Sequence, residues 1–408
     1  MNKKLILLIV PTLLFASSCN NSKTSTGGSV NFDNVSEYEL DEDGVKNLEE
    51  KMNKVGLETR RSFDNVGVKG YAKDLNLKIT GSESTYKESK VVSTEEKLVI
   101  DLKDINADVE YGTHGMYSAK NSKEYVQYLE VKSIDGTIHT KVPRTVEQET
   151  TESETTEVEV IAENTANLKD NTFEYYHYNA TEYVHLSKDL KNNIVNIAKT
   201  ISGDSASIAM ISALIPSNGK IAFAGDEESF PIQEEPTEET GTEDESEEGF
   251  FSSLLGIKNT LEKNGYKLSD ICSLKVVEDS KHYLAIYVDM NSKHAEKARE
   301  IATKVGDLKI PFDIDLDETD FKELRICIEA DSQAKVSYAN VLVSDMKTIG
   351  SQKAPESGEG KSGSLNLDNL NLEIGASFDY KTDVLSRIPN EKELENYNLI
   401  SDKISGLL

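Results

Sequence analysis

The spacing of hydrophobic residues divides the chain into stretches of strand and stretches of helix. Apolar residues alternate with polar ones at Leu75, Leu77 and Ile79, which predicts a strand with one buried face. Alternation also spans residues 98–111, but its phase reverses near Asp104, which predicts a β-bulge there. Similar alternation predicts further strands over residues 125–142, 173–186, 274–288, 310–316, 324–328, 336–346 and 370–380.

Helical spacing appears near the start of the folded part, in the middle of the chain and after the strand pattern at 274–288. It predicts helices over residues 45–55, 190–201, 206–215, 250–261 and 292–305. The stretch at 206–215 is apolar on most faces, which is typical of a buried helix. The sequence therefore predicts an α+β fold in which strands are grouped rather than alternated with helices.

Polar stretches interrupt this pattern and predict a turn and three disordered insertions. Asp135-Gly136 is a favoured two-residue turn, which predicts a hairpin within residues 125–142. The insertions are predicted near residues 145–165, 226–248 and 351–364. The second is the clearest, because 12 of its 23 residues are acidic and none is basic. Such a segment repels itself and has little apolar surface to bury.

The first nineteen residues have the layout of a secretory signal. Lys3 and Lys4 precede an apolar run of 11 residues at 5–15, and small residues follow up to Cys19. A membrane-spanning helix needs about 20 apolar residues, so a permanent transmembrane anchor is not predicted. The stretch resembles a bacterial lipobox, although Ala16 stands where Leu is usual. That resemblance implies cleavage after residue 18 and a diacylglycerol thioether on Cys19; the alternative is an ordinary signal with an incidental cysteine.

These features predict the domain organisation and the location of the chain. Residues 1–18 are a signal peptide, residues 19–40 are the lipidated cysteine with a flexible tether, and residues 41–408 are a single domain. The location is then extracytoplasmic, on the bacterial cell membrane. The formal net charge of −28 repels nucleic acid and anionic headgroups, so attachment must come from the lipid on Cys19. No nucleic-acid partner is expected.

No pattern of side chains predicts an enzyme, a metal or a cofactor. Four aspartates at 313–320 suggest a calcium loop, but Glu318 and Leu324 occupy the positions that need Gly and Glu. His177 and His185 are eight residues apart along a predicted strand, or about 26 Å, which is too far to share a metal. The sequence also shows no nucleophile elbow, no zinc-protease motif and no phosphate-binding glycine loop.

Cys272 and Cys327 are the only cysteines after Cys19. An extracytoplasmic location permits a disulfide between them. However, Cys272 shares a strand face with apolar neighbours, whereas Cys327 alternates with charged ones, so the two thiols are expected to be separate.

The order of elements resembles the LolA/LppX-like extracytoplasmic lipoproteins. Two stretches carry the similarity: residues 283–288 (YLAIYV) leading into the Ser292 helix, and residues 378–380 (FDY) followed by 388–391 (IPNE). The resemblance implies a curved antiparallel half-barrel sheet whose concave face is covered by helices. It also implies that Ile211, Leu254 and Ile257 line a cavity for a lipid or another apolar ligand. The alternative is a non-catalytic surface interaction or structural lipoprotein with a filled core and no ligand.

Overall fold

A large antiparallel sheet with long middle strands forms the centre of the molecule. The computed structural model describes residues 30–116, 125–149, 155–169, 171–179, 181–190, 192–193, 196, 249–306, 308–349, 359–394 and 398–399. In chain order the strands are β1 (Asn65–Lys87), β2 (Lys90–His114), β3 (Val126–Glu149), β4 (Thr155–Asn167), β5 (Phe173–Tyr178), β6 (Thr181–Leu186), β7 (Ser273–Val277), β8 (His282–Asn291), β9 (Thr319–Asp320), β10 (Glu323–Asp331), β11 (Val336–Thr348), β12 (Gly360–Asp379) and β13 (Asn398–Leu399). The helices are α1 (Glu42–Ser62), α2 (Phe250–Lys263), α3 (Ser292–Val305) and α4 (Glu391–Leu394).

The strand order confirms the predicted antiparallel sheet. It runs β13-β6-β5-β3-β2-β1-β12-β11-β10-β8-β7, with β4 beside β3 and β9 beside β11. The end strands β13 and β7 do not pair with each other, so the sheet formed by the described residues is open. At about 3.3 Å per residue the 23 residues of β1 extend for about 75 Å.

Helices α1, α2 and α3 pack on one face of the sheet, called here the helix side. Buried residues of all three helices share one apolar cluster with strand residues such as Leu75, Ile286 and Leu370. Helix α1 begins at Asp41, whose Oδ1 accepts a hydrogen bond from the Gly44 amide at 2.7 Å. The helix continues past residue 55, where it was predicted to end, because Val55 is buried in a contact with Ala330 and Ala334.

The bulge predicted near Asp104 is confirmed and has a partner in the adjacent strand. Asp104 has a φ of 53°, and the β2–β3 register shifts between Lys103 and Asn106. Asp74 of β1 has a φ of 47°, and its amide donates to Asn106 Oδ1 at 3.0 Å. The Asp104 amide donates to Asn76 Oδ1 at the same distance. The two bulges therefore satisfy each other's amides and reverse the side-chain phase of both strands together.

Several local predictions are wrong. Gly136, with a φ of +116°, lies inside the continuous strand β3 beside the Asp104 bulge, and the hairpin at Asp135-Gly136 does not form. The segment predicted as an insertion near 145–165 instead pairs β3 with β4, from Thr145 opposite Glu159 onward. Residues 360–364, expected in the third insertion, belong to β12. The strand predicted at 310–316 contains a short 3₁₀ helix at Pro311–Asp313.

The end of the predicted tether is folded onto the sheet: Val30, Phe32 and Val35 pack on the face opposite the helices, whereas Leu40 is buried in the helix-side cluster. The Val30 amide donates to Glu329 Oε1 at 3.2 Å, and the Phe32 ring stacks on Tyr287 with 5.1 Å between centroids. The Glu37 carboxylate accepts from Ser273 Oγ at 2.6 Å. Residues 30–40 are therefore part of the fold. Residues 1–29, and with them Cys19, lie outside the described residues, as does the acidic segment 226–248.

The two remaining cysteines are separate, as predicted. Cys272 and Cys327 are both buried and neither forms a disulfide. Burial raises the pKa of each thiol to about 12, which leaves both unreactive at neutral pH.

Candidate functional site

A row of apolar side chains crosses five neighbouring strands on the helix side of the sheet. We call it the apolar row; it consists, in register, of Leu370, Leu77, Leu102, Ile138 and Ala166. With about 4.8 Å between strands it extends for about 19 Å. Its three middle members are only partly buried, although they adjoin the main apolar cluster. The row is thus an apolar surface with accessible area in its centre.

The adjacent row on the same side extends this surface. Leu367, Ile79 and Ile100 face one another in register on β12, β1 and β2, and Thr140 follows on β3. Together the two rows form a continuous patch of branched side chains. Such a patch can pack against helices or an apolar ligand.

The predicted cavity residues of α2 are core residues in this structure. Leu254 is 1% exposed and Ile257 is 5% exposed, and both belong to the main apolar cluster. Ile211 lies outside the described residues. The structure thus brings Leu254 and Ile257 into the cluster that the apolar row adjoins, but both side chains are already covered by protein.

The opposite side of the sheet carries a row of charged residues that sequence reasoning missed. We call it the charged row; it consists, in register, of Lys69, Glu110, Glu130, Glu174 and His185 on β1, β2, β3, β5 and β6. Glu110 is 8% exposed and Glu130 is 5% exposed. Like charges directly opposite each other destabilise a sheet, so this arrangement requires neighbouring cations.

Two cations, Arg387 and Lys132, each contact both buried carboxylates. Arg387 Nη2 makes an ion pair with Glu110 and lies 3.4 Å from Glu130 Oε2. Lys132 pairs with Glu130 and lies 3.9 Å from Glu110 Oε2, and the Tyr176 hydroxyl donates to Glu130. The Arg387 guanidinium therefore bridges two carboxylates that would otherwise repel each other.

Arg387 belongs to residues 380–394, which we call the C-terminal strap. The strap leaves β12 and crosses the side opposite the helices, where Val384 is buried among Val126, Tyr128 and Tyr176. After the strap, β13 pairs with the outer edge of β6. The chain thus passes over the charged row before it joins the end of the sheet.

An open cleft of about 570 Å³ lies between the strap and strands β5 and β6. Glu174 and His185 line it from the strands, and residues 386–389 line it from the strap, together with Glu393. His185 Nδ1 lies 3.5 Å from Glu174 Oε2. This cleft is polar and lies on the opposite side of the sheet from the apolar row, so it is not the predicted apolar cavity.

Asp289 is a buried carboxylate near the docked N-terminal segment. It is 7% exposed, and within the described part of the chain its Oδ1 has no hydrogen-bond partner. Burial, followed by the nearby charge of Glu323, raises the pKa of Asp289 to about 6. This environment penalises the ionised form and so affects the pH dependence of stability.

Neither a metal-binding cluster nor a membrane-spanning helix occurs among the described residues. No group of three or more His, Cys, Asp or Glu side chains there is placed to hold a metal ion. No helix there is both long enough and apolar enough to cross a membrane. Comparisons with protein-family models, with curated proteins and with solved structures find no match for this chain.

Proposed function

We propose that this chain is a membrane-anchored extracytoplasmic lipoprotein that binds a lipid or another apolar ligand. In this proposal the sheet is a LolA/LppX-like half-barrel, its concave face is the helix side, and the ligand lies along the apolar row. The observation that carries the proposal is the partial exposure of Leu77, Leu102 and Ile138 in the middle of an otherwise apolar, in-register surface. Soluble proteins normally bury such a surface or use it for binding.

The dimensions of the apolar row suit an acyl chain. Its five strands extend for about 19 Å, comparable with an extended chain of about 16 carbons. Each buried methylene contributes about 0.8 kcal/mol, so partial burial of one chain would give measurable binding. No charged side chain belongs to the row, so recognition would depend on shape and apolar area.

The anchoring part of the proposal rests on the first nineteen residues and on the docked segment. With residues 30–40 folded onto the sheet, 11 residues from Cys19 to position 29 connect the lipid to the fold. At about 3.3–3.6 Å per residue, 11 residues span at most about 36–40 Å. The folded part would therefore stay close to the bilayer surface.

A second candidate is a structural or interaction lipoprotein without a ligand. The burial of Leu254 and Ile257 favours it, because these side chains fill the space in which a ligand cavity was expected. In this case the apolar row would only complete the core.

Native mass spectrometry of protein purified from membranes separates these candidates. The carrier proposal expects a co-purifying lipid in addition to the anchor, and binding of a fluorescent fatty acid. Leu102→Asp should abolish both, because it places a carboxylate in the middle of the apolar row. Leu57→Asp, at a 44% exposed apolar position on α1, is the matched control and should leave both unchanged. Absence of extra lipid and of fatty-acid binding in the parent protein would favour the structural candidate.

A further inference from the structure

The second row of the apolar patch ends in two polar residues. This row begins with Leu367, Ile79 and Ile100 and continues in register with Thr140 on β3 and Asn164 on β4. From the apolar row to this row, the pairing of β1, β2, β3 and β4 is continuous. Side chains two residues apart on a strand share a face, so Thr140 and Asn164 lie on the helix side of the sheet.

Both polar residues carry a buried hydrogen-bonding group that has no partner in the described part of the chain. These groups are the hydroxyl of Thr140, which is 2% exposed, and the side-chain amide nitrogen of Asn164. Native proteins pair nearly all such groups, because a buried donor that has lost water and gained no partner costs free energy. Facing residues of an antiparallel pair have Cβ atoms about 4.5–5.5 Å apart, so the two groups can donate to one acceptor.

We propose that Thr140 and Asn164 bind the carbonyl oxygen of an acyl ester or acyl amide whose chain lies on the apolar patch. This inference rests on the function proposed above and names the chemical class of its ligand. In the bound state the Thr140 hydroxyl and the Asn164 amide each donate a hydrogen bond to the carbonyl oxygen. The acyl chain extends from there between the two rows toward β12.

The two donors select a neutral carbonyl over an ionised carboxylate. Neither row contains a charged side chain. A carboxylate placed there would lose its hydration without gaining a cation, whereas an ester or amide carbonyl needs only hydrogen-bond donors. A pure hydrocarbon would leave both donors unpaired. The site therefore distinguishes an acyl ester from a fatty-acid anion and from an alkane.

The position of the two donors gives the ligand a direction. β4 pairs only with β3 among the strands that the structure describes, so its other edge is open. Asn164, Ile100 and Ile138 are only partly buried, which leaves accessible surface around Thr140. A head group attached to the carbonyl can extend past the β4 edge into solvent while the chain follows the patch inward. This arrangement suits a lipid whose acyl chain is linked to a polar head group.

Displacement of a fluorescent fatty acid measures this selectivity. The ligands are methyl dodecanoate, dodecane and dodecanoate at about pH 9, where the acid is ionised. The protein is the full chain with Cys19→Ser, so that no anchor lipid competes. The parent should bind dodecanoate at least about tenfold more weakly than its methyl ester.

Two substitutions of similar shape remove the donors one at a time. Thr140→Val and Asn164→Leu should each weaken binding of methyl dodecanoate about fivefold, because each removes one hydrogen bond to the ligand. The affinity for dodecane should stay unchanged or rise, since fewer donors are then left unpaired beside it.

Thermal melts of the ligand-free proteins give a readout that a purely structural role would not produce. Thr140→Val removes an unpaired hydroxyl, so it should raise the melting temperature even though it weakens ester binding. Thr113→Val is the matched control, because the Thr113 hydroxyl is also buried without a partner in the described chain. It lies about 40 Å away along the strands, opposite Gln127. It should raise the melting temperature and leave all three affinities unchanged.

The outcomes separate this inference from the proposed function. Equal effects of Thr140→Val and Thr113→Val on ester binding would overturn the inference, and so would a lower melting temperature for Thr140→Val. In either case fatty-acid binding that Leu102→Asp abolishes would still support a ligand on the apolar row. A parent protein that binds none of the ligands would overturn both.

Discussion

Removing the charge of Arg387 should destabilise the fold even though this residue is partly exposed. Its guanidinium contacts Glu110 and Glu130, which lie directly opposite each other on β2 and β3 and are both buried. Arg387→Gln keeps much of the side-chain length but leaves the two carboxylates to repel each other. The repulsion would be felt where the strap crosses the sheet, so the strap should loosen first.

The size of the effect follows from burial and from the cations that remain. Removing one partner of a fully buried ion pair typically costs about 3–5 kcal/mol. Here the Arg387 side chain is 38% exposed, and Lys132 and Lys69 still lie near the carboxylates. We therefore expect a loss of about 1.5–3 kcal/mol, which would lower the melting temperature by about 3–6 °C.

Thermal melts and urea titrations of five proteins measure this effect and its cause. Arg387→Gln is compared with the parent, and Glu130→Gln/Arg387→Gln is compared with Glu130→Gln. With Glu130 neutral the carboxylate repulsion is gone, so loss of Arg387 should cost about 1 kcal/mol or less. Arg61→Gln, which breaks an exposed pair with Glu58, is the control and should change stability by less than about 0.5 kcal/mol. Equal losses in both Glu130 backgrounds would refute the proposed role of the carboxylate pair.

Three further predictions concern separate parts of the molecule. Asp289→Asn should stabilise the protein by about 1–2 kcal/mol above pH 6 and have little effect below pH 4 in urea titrations across pH. The sign follows because folding raises the pKa of Asp289 to about 6, so its favourable contribution is present at low pH and is lost as pH rises through that value. Gly375→Ala should cost about 1–3 kcal/mol in thermal melts, because a Cβ there would lie 2.6 Å from the Tyr71 ring; unchanged stability would show that the ring moves easily. Cys19→Ser should move the protein from the membrane fraction to the soluble fraction, and continued sedimentation with membranes would indicate another anchor.

The helix-side half of the fold was predictable because its pattern is local. Alternation located the long strands, and the phase reversal located the bulge at Asp104. The same signal was available for Asp74, since apolar residues occupy positions 66, 68 and 72 before it and 75, 77 and 79 after it. The prediction failed where the turn preference of the local sequence conflicted with the pairing of neighbouring strands. Asp135-Gly136 favours a turn, but Gly136 instead lies within β3. There its backbone packs closely against the Asp104 bulge of β2, and a Cβ would clash.

The charged row could not be predicted, because register between distant strands is not a local property. Glu110, Glu130 and Glu174 each appear among alternating polar residues and individually indicate a solvated face. Only the pairing of β2 with β3 and of β3 with β5 brings them together. Arg387 follows Glu130 by more than 250 residues, and nothing in its neighbourhood indicates a buried partner.

Both terminal segments of the described chain pack on the side of the sheet opposite the helices. The N-terminal segment contacts β8 and β10 through Phe32 and Val30, and the strap covers the charged row at the other end. The apolar row lies on the other side, next to the cluster that contains the three long helices. The surface proposed for an apolar ligand and the surface covered by the terminal segments are therefore opposite faces of one sheet, and a substitution in the strap can be tested without altering the apolar row.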